Sequence, residues 1–236
     1  DGSYDLNRET YNGELTLSRF PLDRFLTVDS LGSASANFRL EGRYFSWPQA
    51  KTSVNAGIRQ LFYKEHEYKD ITLQATLDKT HLRGTMVSKD PDAPLDLVFR
   101  GDSLQQQYQV GLGGYIGKVD LQALHLMQEP LTMGLKVDLQ GFIGEHSAYA
   151  LKARFDSLSM ADSRKTYTLG SLDIDMASDL KKTTLDVKTG DLQLTFRADT
   201  SLAGFGESAG KIAGIVGKQI AGKDIDMEQI KAELPV

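Results

Sequence analysis

Apolar residues fall at every second position over long stretches of this chain. Leu131, Met133, Leu135, Val137 and Leu139 alternate with polar groups at Thr132, Lys136, Asp138 and Gln140. Ala34, Ala36, Phe38 and Leu40 alternate with Ser35, Asn37, Arg39 and Glu41, and Ile71, Leu73, Ala75 and Leu77 with Thr72, Gln74, Thr76 and Asp78. Leu192, Leu194, Phe196 and Ala198 repeat the rhythm against Gln193, Thr195, Arg197 and Asp199. Neighbouring side chains on a strand point to opposite faces, so each segment predicts a strand with one apolar and one wet face. This is the antiparallel signature, because strands buried on both faces read as unbroken Val/Ile/Leu runs.

Weaker strands are predicted at 13–18, 52–60, 82–88, 94–101, 106–113, 117–123, 149–156, 171–177 and 183–188. Turn residues separate them at Pro48, Asp90-Pro91-Asp92, Gly113-Gly114, Glu129-Pro130 and Gly190-Asp191. No helical period lies between them, which excludes a βαβ design. About thirteen strands spaced ~4.8 Å apart would span roughly 60 Å, and a twisted sheet of that size must curl, split or close.

The C-terminal tail differs. Ile212, Ile215, Val216 and Ile220 fall at helical spacing, and Asp226 with Gln229 reads as the start of a second short helix, stapled by Ile225 and Ile230 and ended by Pro235. Gly206, Gly210 and Gly214 repeat every fourth residue, a membrane helix-pairing pattern when the context is apolar. Glu207, Lys211 and Lys218 interrupt it, so the tail reads as a Gly-rich helix beside the sheet.

The chain also echoes itself at a shift of about 100 residues. Phe38, Leu40 and Gly42 match Val137, Leu139 and Gly141, while Leu15, Leu17, Phe20 and Leu22 match Val119, Leu121, Leu124 and Leu126. Ala56, Ile58, Leu61 and Tyr63 match Ala153, Phe155, Leu158 and Met160. The closest echo is a Leu-x-Leu-x-Phe-Arg-x-Asp run, at Leu95–Asp102 and Leu192–Asp199. These matches predict a first β unit over 1–105, a second over 106–202 continuous with it, and a helical tail over 203–236.

Composition narrows the function. A net charge of −5 without a long basic run argues against nucleic acid as a partner. Cysteine is absent, so disulfides and thiolate metal sites are excluded. No stretch reaches the roughly 18 to 20 apolar residues of a membrane span, so the segment itself is expected to be soluble. No signal-peptide order opens the sequence. The ends at Asp1-Gly2-Ser3 and Pro235-Val236 suit a piece of a longer chain.

A search for chemistry finds none. His66, between Glu65 and Glu67, reads as a surface residue of a hairpin loop spanning 64–70. His81 and His146 sit at predicted turns and His125 at a strand edge, and no paired-His zinc spacing exists. Gly111, Gly113, Gly114 and Gly117 resemble a dinucleotide loop but lack its spacing and its strand–helix context, and read as a turn. Asp90-Pro91-Asp92 lacks the remaining ligands of a calcium loop, and Asp173 and Asp175 occupy the wet face of a strand. No nucleophile elbow is present. The sequence therefore predicts a non-enzyme with no catalytic residue, cofactor or metal.

The run Tyr11, Leu15, Leu17, Phe20, Leu22, Phe25-Leu26, Asp29-Ser30-Leu31-Gly32, leading to Leu40-Glu41-Gly42-Arg43, resembles the TamB-like translocation and assembly module subunits of Bacteroides-type bacteria. The tail Gly222–Pro235 resembles a segment between β blocks of the same proteins; Thr27 departs from the expected Phe-Leu-Pro. The resemblance covers most of the chain as a rhythm, not as a catalytic signature. It implies an AsmA-like periplasmic protein anchored in the inner membrane, its β-sheet folded lengthwise into a trough (a β-taco) with an apolar interior. It also implies a role in outer-membrane protein assembly with a barrel partner of the TamA/BamA type, and in phospholipid movement between membranes.

The residues alone reach a compatible expectation: a long antiparallel sheet built from two related halves, its apolar face a groove for acyl chains. Burial contributes roughly 0.8 kcal/mol per CH₂, enough to hold a tail firmly without selecting it. The expected lining is Leu17, Phe38, Leu40, Ile58, Ile71, Leu73, Leu97, Phe99, Leu121, Leu135, Val137, Phe155, Ile174, Leu185, Leu194 and Phe196. Two alternatives stay open: a structural or interaction module with a filled core, and a sheet whose raw edges pair with a client strand or with another copy.

Overall fold

The computed structural model describes residues 1–25, 30–46, 49–104, 107–144, 148–204 and 206. The strands are β1 (Gly2–Asp5), β2 (Thr10–Pro21), β3 (Leu31–Arg43), β4 (Lys51–Tyr63), β5 (His66–Asp78), β6 (His81–Ser88) and β7 (Leu95–Leu104). They continue as β8 (Gln107–Asp120), β9 (Thr132–Ile143), β10 (Tyr149–Ala161), β11 (Thr166–Ser178), β12 (Thr183–Thr189) and β13 (Leu192–Ala198). A 3-10 turn, Leu22–Arg24, follows β2. The helices predicted between 212 and 235, and His146, lie outside the described residues.

All thirteen strands form one sheet in chain order, each antiparallel to the next. Close backbone packing between the described strands follows that order too, each strand against its neighbours in the chain. It is open: β1 and β13 are its edges, and it does not close into a barrel. A mainly β, wholly antiparallel sheet is what the alternation predicts, and an open sheet agrees with a trough.

The sequence and the fold part company in two places on the strands. Gly113-Gly114 is no turn: β8 runs straight through it, pairing Gly114 with Leu97 on one side and Val137 on the other. Gly114 has φ +144, and a Cβ there would collide with the Asp96 carbonyl oxygen, so the glycine marks a close backbone approach inside a strand. The loop predicted over 64–70 shrinks to Lys64-Glu65, both at positive φ, and His66 already opens β5.

The β2–β3 and β8–β9 hairpins carry a bulge at matching positions. The β2–β3 ladder is broken by a bulge between Leu17 and Phe20, and the β8–β9 ladder by one between Ile116 and Val119. Leu17 pairs with Ala36 as Ile116 pairs with Leu135, and Leu15 with Phe38 as Gly114 with Val137. The structure thus sets Ile116, not Leu121, opposite Leu17 in the comparison, because β8 ends at Asp120.

Candidate functional site

The ladders sort the side chains into rows, because directly paired residues of an antiparallel sheet share a face. One row passes through Gly13, Leu40, Val54, Ala75, Gly84, Phe99, Leu112, Leu139, Ala153, Ile174, Val187 and Leu194, crossing from β2 to β13 without a polar residue. Beside it run Leu15, Phe38, Ala56, Leu73, Met86, Leu97, Gly114, Val137, Phe155 and Leu172. A third row carries Leu17, Ala36, Ile58, Ile71, Ser88, Leu95, Ile116 and Leu135. On the other flank, Leu77, Leu82, Gly101, Val110, Gly141, Leu151, Met176, Leu185 and Phe196 follow one another.

Every strand residue of the expected lining therefore falls on one face. Leu121 alone does not: it sits in the turn after β8, where its N–H donates to the Leu131 carbonyl at 2.9 Å. Alternation continued past Asp120 in the sequence, but the chain had left the ladder. The expected lining left out Leu15, Val54, Met86, Leu112, Leu172 and Leu139 (the last already on the apolar side of its alternating run), and their register with the named residues puts them on the same face.

The face is buried unevenly. Ala36, Ala56, Val137, Leu135 and Ala153 are each at most 8% exposed, whereas Leu40 is 40% and Phe196 46% exposed. Among the described residues the buried apolar set is mostly alanine, and no phenylalanine belongs to it. The glycines of these rows are roofed by neighbours: a Cβ on Gly84 would strike the Phe99 ring, and one on Gly141 would strike Val110.

The opposite face is mostly polar, Val98 and Gly113 interrupting its central row. Its central row reads Glu14, Arg39, Asn55, Gln74, Thr85, Val98, Gly113, Asp138, Arg154, Asp173, Lys188 and Gln193. Cross-strand ion pairs lace it, including Arg39–Glu14, Lys152–Asp175 at 3.2 Å and Arg154–Asp173 at 2.8 Å. The hydrogen bond that Arg39 donates to Glu14, then the charge of Glu14, lifts the Arg39 guanidinium above its ordinary range, and Asp173 does the same for Arg154. Hollows of the surface open on this side, one of them framed by Asn37, Asn55, Thr72 and Gln74.

No family model, curated protein or solved structure matches this chain.

Proposed function

We propose that this chain is a periplasmic segment of a TamB-like, inner-membrane-anchored protein, whose apolar sheet face carries phospholipid acyl chains between the membranes. The observation that supports this reading is the unbroken apolar row from Gly13 to Leu194, on a face where Leu40, Leu194 and Phe196 stay 40 to 46% exposed. A filled sandwich would bury its large side chains, and here alanine dominates the buried set. Acyl chains lying along the rows would gain roughly 0.8 kcal/mol per CH₂ without a pocket of fixed shape, which suits sliding more than capture. Head groups would stay in water beside the track. The same face could shield the apolar strands of an outer-membrane client, with a TamA/BamA-type barrel as acceptor, as the resemblance implies.

A photo-crosslinking phospholipid with the reactive group at its tail tests the assignment. The expected labels fall on Leu40, Leu73 and Leu97 and not on Gln74, Thr85 or Asp138. Leu73→Asp should lower labelling and the amount of co-purified phospholipid found by mass spectrometry, while Gln74→Asp leaves both unchanged. Equal labelling of both faces, or no lipid at all, would favour the reading as a structural or protein-interaction module. That second reading draws on the exposure of β13 at the sheet edge.

A further inference from the structure

We propose that His66, Asp90 and Asp92 form a structural site for a divalent transition metal, Zn²⁺ being the ion whose chemistry fits, at the rim of the sheet. Histidine and carboxylate atoms of these residues lie within 4.8 Å of one another. The rim is assembled from three places in the chain. His66 opens β5, Asp90 and Asp92 sit in the loop between β6 and β7, and Ala123 lies in the loop after β8.

The histidine is held as a ligand would be. Its Nδ1 lies 3.1 Å from the Ala123 carbonyl oxygen, which can only accept, so Nδ1 carries the proton. Its other nitrogen, Nε2, is buried and has no hydrogen-bond partner among the described residues. The side chain is 11% exposed, and the Asp90 side chain facing it 1%. In that tautomer the Nε2 lone pair points at a carboxylate oxygen 3.6 Å away. Two electron-rich atoms buried face to face repel unless a positive charge lies between them, and that charge is either a second proton on Nε2 or a bound metal ion.

The separation is beyond hydrogen-bond reach. It is close to the ~3.3 Å that separates two ligands across a tetrahedral zinc ion with bonds of about 2.0 to 2.1 Å. Asp90 is fixed in place: Oδ2 accepts the Lys69 N–H at 2.7 Å, and Oδ1 those of Asp92 at 2.9 Å and Ala93 at 3.2 Å. Lys69, whose charge is near both aspartates, is itself paired with Glu67 at 2.9 Å. A backbone carbonyl on the second imidazole nitrogen is the usual outer-shell support of a metal-binding histidine. One nitrogen and two carboxylates suit zinc, whereas calcium and magnesium favour larger all-oxygen sets. Such an ion would tie the start of β5 to the β6–β7 loop, with the β8–β9 loop bound to the same histidine. The rim at the junction of the two halves would then be clamped.

Isothermal titration calorimetry of the full chain, stripped by chelator and titrated with ZnCl₂, tests this. One equivalent should bind, and zinc at a hundredfold excess over Kd should raise Tm by about 5 to 10 °C. His66→Gln and Asp92→Asn should each abolish both effects; Asp92→Asn spares every hydrogen bond of Asp90, so it keeps the loop folded. His81→Gln, altering an exposed histidine beside Asp102, should leave binding intact. Absence of zinc binding in the wild-type chain overturns the proposal, as does binding that survives Asp92→Asn or is lost in His81→Gln.

Discussion

The Arg83 guanidinium donates to the Asp102 carboxylate across the β6–β7 ladder at 2.8 Å. His81 lies 2.6 Å from the same oxygen through Nδ1. Arg83 first, and His81 second, hold this carboxyl below the ordinary aspartate range. A depressed carboxyl stabilises the fold above its unfolded value of about 3.9 and loses that contribution as pH falls through the folded value. Asp102→Asn should therefore be less stable than wild type at neutral pH, with the gap closing below about pH 4. Thermal unfolding of both proteins between acid and neutral pH checks this; a gap that stays constant to the acid end would contradict it.

Val137 and Leu194 lie on the same apolar face but in different surroundings, at 3% and 42% exposure. Val137→Ala removes two buried carbon groups and should cost about 2 kcal/mol, cavity included. Leu194→Ala at the edge should cost roughly 1 kcal/mol or less, since much of its surface is already wet. Urea unfolding with a shared m-value gives both numbers.

Gly114 and Gly57 separate backbone need from mere smallness. Gly114→Ala forces a side chain onto a backbone at φ +144 and into Asp96, so it should destabilise by about 1 to 3 kcal/mol or more. Gly57 has open space around its missing Cβ and no positive φ. Gly57→Ala should be neutral or stabilising by up to about 1 kcal/mol. Equal costs for the two in denaturant titrations would remove the close-approach explanation for Gly114.

The β13 edge is exposed almost throughout, with Leu192, Leu194 and Phe196 on its apolar side. An uncovered apolar edge is a template for strand addition. Sedimentation equilibrium should detect concentration-dependent self-association, weakened by Leu194→Lys and untouched by Gln109→Lys in the interior strand β8. A monomer at every concentration would remove edge pairing from the expected partners.

The faces were legible in the sequence because alternation is a local property. Once a stretch such as Ile71 to Asp78 is extended, geometry alone sends Ile71, Leu73 and Ala75 one way and Thr72, Gln74 and Thr76 the other. The same logic failed at Leu121 and at Gly113-Gly114, since alternation marks neither where a ladder ends nor whether glycines bend a strand or let two strands approach. Only the assembled sheet decided those points. It also decided the surroundings of His66. Flanked by two glutamates it reads as a surface residue, yet it is enclosed by an aspartate 24 positions on and a carbonyl 57 positions on. Side-chain direction follows from the residue's own backbone, whereas enclosure depends on which distant loops fold against the same rim.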